Sequence, residues 1–128
     1  MSKLVFDSSA ILAIYYNEPG KKKTQALLED ADPIISSVNL CEVFTKLLED
    51  GLKAEKISES FHALEIKVVD FDARDAVKAA ELRGVTKRLG LSLGDRACIA
   101  LAIENKTTAV TADRNWKKVK VCSIELIR

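Results

Sequence analysis

Apolar residues recur along this chain in short runs and in longer stripes of helical spacing, and the two alternate. Leu4-Val5-Phe6 runs straight into the polar Asp7-Ser8-Ser9. A short apolar run bounded in this way fits a strand buried on both faces, as in the middle of a parallel sheet. Ala10–Tyr16 is a short helical stretch, broken by Asn17-Glu18-Pro19-Gly20, and a second helix follows from Lys21 to Asp30. Ile34-Ile35-Ser36 is the next strand. Ser37 is the expected N-cap of a helix running to Glu49, with Leu40, Phe44, Leu47 and Leu48 as its apolar stripe. Asp50-Gly51 closes it. Lys53–Leu64, with Ala54, Ile57, Phe61 and Leu64 at helical spacing, completes a helical hairpin.

The second half repeats the alternation. Lys67–Phe71 is a third strand, and Asp72 caps a long helix, Ala73–Leu89. Its core face is expected to be Ala73, Ala76, Val77 and Ala80, with Gly84 continuing the small-residue stripe and Gly90 ending the helix. Ser92-Leu93-Gly94-Asp95 opens a helix whose Ala97–Ile103 is apolar all round, as a buried helix requires. Thr108–Thr111 is the fourth strand, a loop carries Asp113, and Lys118–Cys122 is the fifth, which Ile124–Ile127 extends or flanks as an edge. Strands alternating with helices imply an α/β fold: a doubly wound, mainly parallel central sheet with helices on both faces, in a single domain over residues 1–128.

Composition narrows the classes without choosing one. The chain has 128 residues, 48% apolar and 30% charged, which is ordinary globular composition. The net charge of +1 points to no particular partner, so any nucleic-acid role must rest on local patches. Cys41, Cys98 and Cys122 are odd in number, widely spaced and set among apolar neighbours, which predicts buried, reduced thiols rather than disulfides. A zinc site has only His62 to complete it. The longest apolar runs are far short of the roughly 20 residues needed to span a bilayer, and Asp7 with two serines interrupts the only candidate leader. A cytoplasmic location is expected.

The informative residues are acids placed where a core does not need them. Asp7 ends the first strand, Glu42 lies one turn into the helix after the second, Asp95 opens the buried helix and Asp113 follows the fourth strand. In a parallel sheet the strand C-termini and the first turns of the following helices share one edge, where ligands bind. Each acid also has a structural reading. Asp7 can begin a turn or cap the helix after it, Asp95 can complement a helix dipole, Glu42 can pair with Lys46, and Asp113 can form an Asx-turn. Their joint placement on one rim is the stronger signal. Carboxylates so close raise one another's pKa, and a hard divalent cation relieves that. With no His or Cys nearby, oxygen ligands favour Mg²⁺ or Mn²⁺ over zinc. Ser8 and Thr111 are the hydroxyls placed to orient water or a carboxylate.

Four segments then carry a likeness: Val5-Phe6-Asp7-Ser8-Ser9, Val38-Asn39-Leu40-Cys41-Glu42-Val43, Leu91-Ser92-Leu93-Gly94-Asp95 and Val110-Thr111-Ala112-Asp113-Arg114-Asn115-Trp116. In that order they resemble the motifs of PIN-domain ribonucleases, and most of all the VapC-type toxins of toxin–antitoxin pairs. The resemblance spans essentially the whole chain. It implies a Mg²⁺- or Mn²⁺-dependent endoribonuclease that acts as a homodimer and is inhibited by a small cognate antitoxin. By position, Asp7, Glu42, Asp95 and Asp113 match the acidic quartet and Thr111 its accompanying hydroxyl, with Ser8 beside it. It further implies that Asp7, Asp95 and Asp113 hold the metal, with Glu42 as a further ligand or as the group orienting the attacking water. Trp116 departs mildly from the pattern, standing where Phe is usual. Arg96, Arg114 and Lys117, with Lys87, Arg88 and Lys118, are candidate anchors for RNA phosphates, and Tyr15, Tyr16 and Trp116 are candidates for base stacking.

Three other readings stay open at this level. An Asp ending the first strand of an α/β sheet is also the pattern of an aspartyl-nucleophile phosphatase, although Ser9 stands where the second acid of a D-x-D pair would be. The same domain can serve as a non-catalytic RNA- or protein-binding module, or as an acidic pocket that binds Mg²⁺ without turnover.

Overall fold

In the computed structural model, which describes residues 1–128, strands and helices alternate as the patterning requires. The order is β1 (Lys3–Phe6), α1 (Ser8–Tyr15), α2 (Lys21–Asp30), β2 (Asp32–Ser36), α3 (Ser37–Glu49), α4 (Ala54–Ala63), β3 (Lys67–Val69), α5 (Ala73–Thr86), α6 (Leu93–Glu104), β4 (Thr108–Thr111) and β5 (Ser123–Leu126). Short 3-10 turns occupy Lys87–Leu89 and Arg114–Lys118. The sheet order is β3-β2-β1-β4-β5, and every pairing is parallel. The doubly wound α/β architecture expected from the sequence is therefore present, with β1 at its centre.

Successive strand residues point to opposite faces, and the core divides accordingly. Val5, Ile34 and Ala109 join Leu82, Ile99 and Trp116 on the face covered by α5 and α6. Phe6, Ile35 and Val110 join Ala10, Val43, Leu47 and Ile57 on the face covered by α1, α3 and α4. The chain leaves β1 toward β2 and leaves β4 toward β5, so the strand order reverses between β1 and β4. That switch point is where an open α/β sheet forms a crevice at the strand C-termini.

Several local expectations are corrected. The N-cap of α3 is Ser36, whose Oγ accepts from the Val38 amide at 3.2 Å; Ser37 is already helical, and its hydroxyl accepts from the Phe71 amide instead. The buried face of α3 is Asn39, Val43 and Leu47, and Leu48 faces out. On α5 the buried residues are Ala79, Leu82 and Thr86, while Ala73, Ala76, Val77 and Ala80 face solvent. Alanine is the best helix former and is tolerated on any face, so the one large residue, Leu82, sets the rotation. The fifth strand is Ser123–Leu126, not Lys118–Cys122. A parallel neighbour must start level with Thr108, and Ser123 does. Residues 112–122 are consumed in carrying the chain back across the sheet. Of the cysteines only Cys98 is buried; Cys41 is exposed on α3 and Cys122 is half-buried, all three as free thiols. No helix is long and apolar enough to cross a membrane.

One turn depends on glycine. Gly20 enters α2 with φ +97°, and a Cβ there would lie 2.7 Å from the Ile127 carbonyl oxygen. Backbone cannot retreat as a flexible side chain can. Gly20→Ala is expected to cost about 2 kcal/mol or more, combining left-handed strain with the clash. Urea denaturation of the two proteins measures it.

Candidate active site

The four acids sit on the sheet's carboxyl edge, and local chemistry explains how each is held. Asp7 follows β1 as the N-cap of α1, yet its side chain makes no capping bond. Its backbone amide instead extends the ladder to Val110 (2.9 Å), which turns the side chain across the switch point. There Oδ2 accepts from Ser9 Oγ at 2.7 Å and from Thr111 Oγ1 at 2.9 Å. Ser9 also accepts from the Ala112 amide at 2.9 Å, so β1 and β4 are tied together at the site.

Glu42 projects from α3 one turn beyond its start, and its Oε1 accepts from Ser8 Oγ at 3.0 Å and from Asn39 Nδ2 at 2.9 Å. The i, i+4 pair with Lys46 does not form; Lys46 lies 3.8 Å from Asp50. Asp95 is the third residue of α6 and completes a capping box. Ser92 Oγ accepts from the Asp95 amide at 3.2 Å, and Asp95 Oδ2 accepts from the Ser92 amide at 2.9 Å. Asp113 is exposed after β4. Its Oδ1 accepts from the Asn115 amide at 2.9 Å, the expected Asx-turn, and its own amide donates to Thr111 Oγ1 at 3.1 Å.

A common arrangement emerges. Each acid has one oxygen held by the fold and a second, Asp7 Oδ1, Glu42 Oε2, Asp95 Oδ1 or Asp113 Oδ2, with no protein donor. None of the five ion pairs involves any of the four. Negative charge is thus gathered without a cation of the protein's own. Asp7 registers this most strongly. Burial, followed by the charges of Asp95 and Glu42, outweighs the Ser9 and Thr111 hydrogen bonds and pushes its carboxyl up from 3.8 to about 6. Cys98, buried beneath the same acids, has its thiol pushed well above the usual range, chiefly by burial.

The donor set is all oxygen, and no three His, Cys, Asp or Glu are drawn tightly enough to cage an ion by themselves. Oxygen donors are the kind that Mg²⁺ or Mn²⁺ takes, with waters completing the shell. The set suits zinc less well, since zinc sites are built largely on His nitrogen and Cys sulfur.

The structure links Asp7, Thr111 and the Asp113 backbone in one hydrogen-bond network with Ser9, and Ser8 and Glu42 in a second with Asn39; Asp95 and Glu42 are coupled to Asp7 through their charges. The cationic candidates divide. Arg114 and Lys117 are exposed on the turn after Asp113. Arg96 instead donates through Nη1 to the Ala79 carbonyl at 2.9 Å, joining α6 to α5. Trp116 is wholly buried and is unavailable for stacking. Tyr15 bonds Ser60 and Tyr16 bonds Asp50, so both hydroxyls are engaged at the α1–α3–α4 side.

Three contributors were missed in the sequence: Ser9, Asn39 and Gly94. Ser9 had a local signal, a hydroxyl two residues beyond the strand-end acid. Asn39 had one too, as a polar residue three before Glu42 on the same helical face. Gly94 had none, because its neighbour Glu42 is brought to it only by the packing of α3 on α6.

A family model for the PIN domain matches residues 4–121. No curated protein matches the chain. Solved structures do. A DNA-bound VapBC from Salmonella typhimurium is 22% identical, with 100% of both chains covered and a TM-score of 0.74. VapBC2 from Rickettsia felis, bound to a promoter DNA fragment, is 21% identical over 96% of this chain and 97% of that one, with a TM-score of 0.73. A toxin–antitoxin complex from Klebsiella pneumoniae is 16% identical over 98% of each chain, with a TM-score of 0.74. At these identities the likeness is one of fold.

Proposed function

Since the chain belongs to the PIN domain family, we propose that it is a metal-dependent endoribonuclease, acting as a single domain and as the toxin of a toxin–antitoxin pair. One observation carries the reading: four acids on one rim, each pinned at one oxygen, free at the other and unpaired with any protein cation. Asp7, Asp95 and Asp113 are the proposed ligands of Mg²⁺ or Mn²⁺, and Glu42 is a further ligand or the group that orients the attacking water. When bound, the ion lowers the pKa of water and neutralises charge developing on the phosphodiester.

The protein's own part is to fix positions. Ser9 and Thr111 hold Asp7 against rotation, and Ser8 holds Glu42. Arg114 and Lys117 stand where they can anchor flanking RNA phosphates. The VapBC assemblies of like fold support a small cognate antitoxin as partner. A homodimer is proposed with it, for which exposed Val77 and Val85 on α5 offer apolar area.

The test is direct. Purified protein is incubated with a panel of RNAs with Mg²⁺ or Mn²⁺ and with EDTA, beside Asp7→Asn and Asp95→Asn. Metal-dependent cleavage should fall by about 10²–10³-fold in each variant, the usual cost of removing a single well-placed electrostatic group. Cleavage that persists in EDTA, or in both variants, would sink the mechanism.

A further inference from the structure

Asn39 is a polar side chain with no exposure to solvent, in a helix face otherwise made of Val43 and Leu47. A buried amide costs free energy unless its groups are bonded. Its Nδ2 is fully used: one bond runs to Glu42 Oε1 at 2.9 Å and the other crosses to the Gly94 carbonyl on α6 at 3.0 Å. Both partners are pure acceptors, so the amide cannot be turned over without setting its oxygen against two others. Its Oδ1 has no partner at all. A residue chosen only for packing would not leave that atom orphaned; the two donors are what the site retains.

Gly94 is the other half of the arrangement. It is buried in the first turn of α6, and a Cβ on it would lie 2.3 Å from Glu42 Oε2 and 2.5 Å from Cδ. The Glu42 carboxylate therefore rests on the bare Cα of Gly94. It lies at the amino end of a helix, where the backbone dipole favours an anion.

We propose that Asn39 and Gly94 are positioning residues that preset the Glu42 carboxylate for the bound metal, Asn39 by pinning Oε1 and Gly94 by leaving room for Oε2. The proposal rests on the metal-nuclease reading. It adds that the affinity of the site for its ion depends on two residues that do not touch the ion. Loss of a group that orients a metal ligand typically weakens metal binding 10- to 100-fold.

The two substitutions separate positioning from mere structure. Asn39→Ala removes a tie between α3 and α6 and will lower thermal stability whatever its role. Gly94→Ala does the reverse for the helix, since alanine has the better helix propensity. The obstacle it creates is the far end of a flexible side chain, which swings away. Mn²⁺ binding to the RNA-free protein, measured by calorimetry, is the main readout, with unfolding temperature and RNA cleavage alongside.

Asn39→Ala and Gly94→Ala should each weaken Mn²⁺ binding about 10-fold or more, and Gly94→Ala should do so without lowering the unfolding temperature. In a Glu42→Ala background neither should weaken binding further by more than about two-fold, because both act through Glu42. Unchanged Mn²⁺ affinity in Asn39→Ala and Gly94→Ala overturns the positioning roles and leaves the metal reading intact. So does an equal loss with Glu42 already absent. A wild-type protein that binds no Mn²⁺ overturns the metal reading itself, and the positioning roles with it.

Discussion

Asp7→Asn should make the metal-free protein more stable at neutral pH while lowering the proposed cleavage of RNA. Burial raises the Asp7 carboxyl from 3.8 to about 6, so the folded state prefers it protonated. Stability from the neutral form is fully present below about pH 4 and is lost as pH rises through about 6. By pH 7.5 the folded protein carries an ionised carboxylate against that preference, at a cost of about 3 kcal/mol. Asparagine has no charge to bury, and its amide oxygen can still accept from Ser9 and Thr111. A gain of about 1–3 kcal/mol is expected at pH 7.5 in EDTA, shrinking toward zero at pH 4. Chemical denaturation at the two pH values measures it. If the site holds the proposed ion, saturating Mn²⁺ should reverse the order, because the folded wild-type protein is then stabilised by binding and the variant is not. A variant less stable than wild type at pH 7.5 without metal would mean that a protein group already compensates the charge.

Trp116→Ala should cost about 3–5 kcal/mol, the usual penalty for emptying a large buried aromatic site. At this chain length that lowers the melting temperature by roughly 10 °C or more. Trp116 has no exposure and packs with Leu91, Val119 and partly buried Leu89 on the α5–α6 face of the sheet. It also anchors the Arg114–Lys118 turn directly after Asp113, so the loss should loosen an acid of the site as well as the core. Trp116→Phe should recover most of the stability. Thermal unfolding followed by circular dichroism, beside RNA binding, distinguishes core packing from base stacking for this residue. If Trp116→Ala keeps its melting temperature but loses RNA affinity, the ring stacks on a base; the burial predicts the opposite.

The residues that set the fold class were legible because they are local. The apolar run Leu4–Phe6, the caps Asp72 and Ser92, and the all-apolar Ala97–Leu101 each carry their cause within a few positions. The same holds for the rim of acids. Once strands alternate with helices in a parallel sheet, Asp7, Glu42, Asp95 and Asp113 must share the carboxyl edge, since chain direction alone puts them there. What faces what is a different matter. On α5, alanines on every side left the rotation open until Leu82 found the core. The position of β5 depended on its register with Thr108, which no residue of Lys118–Cys122 encodes.

The sequence by itself determined the parallel α/β sheet and the edge at which its acids collect, because periodicity and chain direction are properties of neighbours along the chain. Only the tertiary structure decided how those acids are held. Ser9 meets Thr111 across 102 positions, and Asn39 meets Gly94 across 55. Contacts of that kind arise when helices pack on a sheet at distances set by their side chains. It is this packing that buries Asp7, raises its pKa and lays Glu42 on a glycine.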